Sequence, residues 1–123
     1  MAIHNRRHNI LSAQTVTASS NSGTLPNLGR SGNPVIIAIL DVSGTVSGTN
    51  PTLDCALVGW LDSERPYTIA NFEQVTATLT EPQRLVIPNV LEDNLELVWT
   101  VGGTNTPSFA SVNLDILMTS PDA

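Results

Sequence analysis

The sequence predicts an all-β fold: a single-domain antiparallel β-sandwich, jelly-roll or immunoglobulin-like, with seven or eight strands and an extended N-terminal arm. Three observations carry this. Apolar side chains recur at every second position in one segment after another, which places each set on one face of a sheet. Turn residues separate the segments at short intervals. Residues that fit a pleated surface are abundant, with 14 Thr, 11 Val and 8 Ile in 123 residues.

Residues 1–14 are polar and basic with a few apolar positions (Ile3, Ile10, Leu11) and no clear period, so they read as the arm. The body spans 15–123. Thr15–Ala18 offers a first short strand, and 19–34 is rich in Ser, Asn, Gly and Pro, as a loop would be. Val35–Val42 is an almost unbroken apolar run, the pattern of a strand covered on both faces. Leu53–Leu61, Val75–Thr80, Leu85–Ile87, Leu95–Val101 and Ala110–Met118 complete the set by alternation. Asn89–Leu97 has room for one helical turn. The segments Gly48-Thr49-Asn50-Pro51 and Gly103-Thr104-Asn105-Thr106-Pro107 echo each other and read as two similar hairpin turns.

Composition narrows the function. The single cysteine, Cys55, rules out an internal disulfide and a multi-thiolate metal site. No signal peptide and no run of membrane-spanning length is expected, so synthesis in a cytoplasm follows. Residues 1–30 carry three arginines and no acid (+3), whereas 31–123 carry two arginines against eleven acids (2 − 11 = −9), giving the net −6. An acidic body argues against nucleic acid as partner. A basic arm suits an acidic neighbouring subunit.

The chemistry of a catalytic site finds little support. His4 and His8 have helical metal-ligand spacing, but Asn5-Arg6-Arg7 between them supplies no carboxylate and repels a cation. Cys55 sits in an alternating strand pattern with both histidines far off in the arm, so it reads as buried packing. Glu92, Asp93 and Glu96 form the densest acidic group, without a calcium-loop spacing. No catalytic residue, cofactor site or metal site is expected. Trp99 follows the core register, whereas Trp60 falls on the more polar face of its strand and is an anchor for an interface.

The stretch Val46-Ser47-Gly48-Thr49-Asn50-Pro51-Thr52-Leu53-Asp54, with Leu97-Val98-Trp99-Thr100-Val101-Gly102-Gly103-Thr104 and Pro107-Ser108-Phe109, resembles small β-rich virion proteins of tailed bacteriophages. Within that group it looks most like head decoration (cement) proteins, over roughly residues 15–118. One departure is Asp62-Ser63-Glu64-Arg65-Pro66, where such proteins have a glycine-rich turn. The resemblance implies a protein on the outer capsid surface that clamps subunits of the major capsid protein, as a homo-oligomer, commonly a trimer. His4, Arg6, Arg7, His8, Ile10, Leu11 and Trp60 are then the expected protein-interface residues. Removing residues 1–14 is expected to weaken binding and leave the fold intact. Other readings are a tail, baseplate or head-fibre module, and a carbohydrate-binding sandwich that uses Trp60 and Tyr67 as stacking platforms.

Overall fold

A computed structural model of the chain describes residues 3–27, 34–61 and 65–121. These form eight strands: β1 (Ile3–Val16), β2 (Ser20–Asn21), β3 (Leu25–Pro26), β4 (Val35–Val42), β5 (Val46–Trp60), β6 (Tyr67–Asn71), β7 (Gln83–Pro88) and β8 (Asn94–Pro121). No helix occurs among the described residues.

β8 organises everything. The second half of β8 lies between β1 and β4, from Leu114 opposite Leu11 and Leu40 to Met118 opposite Arg6 and Ile36. The first half lies between β5 on one side and β2 and β3 on the other. β7 extends the first group beyond β4, and β6 extends the second beyond β5. Four antiparallel paths therefore run side by side and bend together. One half is β1-β8-β4-β7, and the other is β2/β3-β8-β5-β6. This is the strand order of a jelly roll.

Alternation explains the closure. In β4, Ile36, Ala38, Leu40 and Val42 are buried, and in β5 so are Leu53, Cys55 and Leu57. β8 contributes Leu95, Leu97 and Trp99 from one half and Val112, Leu114, Ile116 and Met118 from the other, and all of them join one core cluster. The two faces thus bury a common set of side chains, the event that drives folding.

Several segments depart from the sequence reading. Residues 3–16 do not form a free arm but lie along β8, and Leu11 and Val16 enter the core. Leu95–Val101 and Ala110–Met118 are one continuous strand, and the two Gly-Asn segments are not hairpin turns. They face each other where β5 and β8 bend, with Thr49 opposite Thr104 and register shifts on either side. Asn105 Nδ2 donates to Thr49 Oγ1 at 2.6 Å. Asn50 and Asn105 both have positive φ, at 49° and 57°. The residues chosen for positive φ serve paired bulges at a corner, a use as open to them as a turn. Of Val75–Thr80, only Val75 bridges, to Leu53. β6 was not anticipated, and Asn89–Leu97 holds the start of β8 in place of a helical turn. Of the expected Asp62–Pro66 turn, 62–64 lie outside the described residues, as do Arg30 and the rest of 28–33.

The corner depends on glycine. Gly103 has φ +110°, and a Cβ there would meet Asn50 O at 2.8 Å and Thr49 O at 2.9 Å. Gly103→Ala is expected to cost about 1–3 kcal/mol from its backbone conformation alone, and more from the overlap. Gly23 also has positive φ (+75°) but faces open space. Gly23→Ala should therefore lower the melting temperature far less, and the two melts side by side separate crowding from conformation.

Candidate interaction surface

β1 sets the position of the residues singled out in the N-terminal segment. His4 lies opposite Ser120, and its side chain is outside those described. Arg6, opposite Met118, is exposed. Arg7 is opposite Leu117 and forms an ion pair with Asp115 at 2.9 Å. Asn9 Nδ2 also donates to Asp115, so this carboxylate is held by two side chains of its own chain. His8 is half-buried opposite Ile116, and its Nε2 has no hydrogen-bond partner among the described residues. Ile10 packs on the core and Leu11 is 7% exposed, so the apolar surface of both is committed to folding.

Trp60 ends β5, half-buried and opposite Asn94. Its neighbour Gly59 pairs with Tyr67, and Val58 pairs with Thr68. Alternation then puts Tyr67 on the Gly59 face and Trp60 on the Val58 face. The two aromatics do not share a stacking platform. Tyr67 Oη instead donates to Glu92 Oε2 at 2.5 Å, a hydrogen bond that pushes the phenol above its ordinary value of 10.0.

The remaining polar groups do not converge. Among the described residues no group of three or more His, Cys, Asp or Glu could hold a metal ion. An open groove of about 330 Å³ on the outer side of β5 and β6 is lined by Asp54, Val58, Thr68, Asn71 and Thr100, among others. Asp54 there accepts from Gln74 Nε2 with both oxygens, at 3.1 Å each. Asn27 is buried and donates from Nδ2 to Val90 O at 2.8 Å and Glu92 O at 3.2 Å, which ties the end of β3 to the approach to β8.

Cys55 is 2% exposed. Burial pushes its thiol up to about 12, against a small lowering by a hydrogen bond with the Ala56 backbone. It is therefore a packed thiol and not a thiolate nucleophile. Stability depends on pH as a result. Above pH 9, the thiol's ordinary value, the unfolded chain loses this proton and the folded chain keeps it. Stability should fall by up to about 1.4 kcal/mol per pH unit between the two values. Urea unfolding across this range should show that slope in wild type and a shallower one in Cys55→Val.

The sequence reading missed one surface. The outward residues of β4 are Val35, Ile37 and Ile39, followed by Asp41. Ile37 faces Leu117 on β8 and Val86 on β7, and Val35 faces Thr119 and Pro88. Ile39 (36% exposed) and Val86 (52%) are among the exposed large hydrophobic residues. The unbroken run Val35–Val42 signalled two covered faces, yet among the described residues only one is covered.

No family model matches the chain, and no curated protein matches it. Among solved structures it is similar to the VP2 subviral particle of infectious bursal disease virus, with TM-score 0.56 and 14% identity over 96% of this chain. The chain spans a third of that protein, covering 33% of its length. Likenesses to the coat protein of Tobacco streak virus (TM-score 0.45, 10% identity, 98% of this chain and 88% of that one) and to a Bacillus endospore appendage pilus protein (TM-score 0.44, 11% identity, 98% and 89%) are weaker. The first likeness is one of fold: the β architecture of this chain recurs in part of the VP2 protein of that subviral particle.

Proposed function

We propose that this chain is a structural protein of a virus particle, and in particular that it decorates a phage capsid. It binds the outer surface of the shell, meets subunits of the major capsid protein and other copies of itself, and clamps them against one another. It is made in the host cytoplasm and carries no catalytic step. The observation that carries this reading is the jelly-roll body, similar along 96% of the chain to a domain of a protein that forms a subviral particle. An outer sheet face with exposed apolar side chains supports it, since contiguous apolar surface marks contact with other macromolecules. The trimer implied by the resemblance to cement proteins enters only as self-association.

The test uses empty phage capsids that lack a decoration protein. Purified chain should cosediment with them to saturation and raise the temperature at which they break open. No cosedimentation at any concentration would refute the proposal. Head and tail fractions separated before mass spectrometry distinguish this role from that of a tail, baseplate or fibre module. The carbohydrate reading loses its main support because Trp60 and Tyr67 lie on opposite faces.

A further inference from the structure

The strands that end the two layers differ in how their open edges are guarded. β7 holds 6 residues and ends in Pro88, and β6 holds 5 and shifts register against β5 between Leu57 and Val58. β2 and β3 hold 2 residues each, with Pro26 in the latter. Short length, proline and bulges all hinder the pairing of a further strand. β1 is 14 residues long, and from Ile3 to Asn9 it pairs with β8 with no register shift and no proline. Nothing among the described residues pairs with its other edge. Successive N–H groups of a strand point to opposite sides, so every second one in this stretch faces outward.

Charge is the guard that remains, and it is selective. Arg6 and Arg7 stand in the middle of the stretch on opposite faces of the strand, and β1 contains no acid. Arg6 is exposed and has no ion-pair partner among the described residues. Arg7 keeps 68% of its side chain exposed despite its pair with Asp115. Across a strand pair, opposite charges stabilise and like charges destabilise. This edge therefore repels a basic strand and suits one with acids at two neighbouring positions. A second copy offers no such strand at the ends of its layers: β1, β2, β3, β6 and β7 contain neither Asp nor Glu.

We infer that the Ile3–Asn9 edge of β1 takes up an acidic extended segment of a different protein by strand addition. The segment's backbone pairs with β1, and two adjacent carboxylates meet Arg6 and Arg7. Backbone pairing supplies affinity in such contacts, and the side chains supply selectivity. The contact is one that the capsid reading leaves open. Its test uses a peptide in place of a capsid, so either can fail alone.

The probe is the peptide acetyl-Thr-Val-Thr-Glu-Glu-Thr-Val-Thr-amide, rich in strand formers, added to the full isotope-labelled chain up to millimolar concentration. Amide signals of residues 3–9 should shift to saturation. Hydrogen exchange should slow at every second amide of that stretch, the signature of pairing along one edge. Changing both glutamates of the peptide to lysine should weaken binding by at least about tenfold, and Arg6→Glu in the chain by about threefold. A proline at the centre of the peptide should abolish the alternating protection. The peptide variants leave the chain untouched, so they decide the matter if a melt shows that Arg6→Glu disturbs the fold. No saturable binding, equal binding of the lysine peptide, or protection without alternation would each overturn the inference.

Discussion

A chain lacking residues 1–14 should lose most of its folding stability, and at 37 °C a large part of it should be unfolded. β1 is paired along the second half of β8 from Ile3 opposite Pro121 to Val16 opposite Phe109. Its removal turns a central strand into a bare edge. It deletes Leu11 from the core and opens the side of Leu114 and Ile116, both of which are fully buried. Loss of one buried Leu side chain costs roughly 2–5 kcal/mol. The unpaired β8 backbone adds to this, against a total stability of about 5–15 kcal/mol for a domain. The expectation drawn from the sequence, an arm removable without harm to the fold, is thereby replaced. Near-ultraviolet circular dichroism and a thermal melt check it: a truncated chain that melts like the full one would mean that β1 contributes little.

Phe109→Ala should be the most damaging single core substitution, costing about 3–5 kcal/mol. Phe109 is fully buried and stands at the bend of β8, opposite Val16 on one side and Val46 on the other. It fills the corner where the two halves of the sheet meet. A cavity at that corner touches both halves, and backbone paired on both sides cannot easily collapse into it. Phe109→Leu should recover most of the loss. Urea unfolding should show the midpoint moving with an unchanged slope, as a loss of stability without a change of mechanism requires.

The extent to which the sequence disclosed this structure depends on local regularity. β4, β5 and both halves of β8 alternate cleanly, and their inward residues, Trp99 and Cys55 included, are the core. β1 does not alternate cleanly, because its pairing shifts register between Asn9 and Leu11, between Leu11 and Gln14, and between Gln14 and Val16. Each shift breaks the period of two, and Ala13 adopts a positive φ within the same stretch. An edge strand with irregular pairing therefore reads as an aperiodic arm. The Gly-Asn segments announced their backbone conformation correctly but not its use, since positive φ serves a bulge that bends a strand as readily as a turn that reverses it. The outer face was half legible. The run from Val35 to Val42 stated that both sides of β4 are apolar. The cross-strand partners Val86 and Leu117, which turn a strand into a surface, became visible only with the register.

The proposed capsid role requires this chain to be found in contact with a particle. Electron cryo-microscopy of capsids incubated with the purified chain tests this most directly. The expected result is added density of jelly-roll shape at repeated positions on the outside of the shell, in constant ratio to its subunits. Capsids indistinguishable from those never exposed to the protein, at concentrations well above any useful affinity, would contradict it.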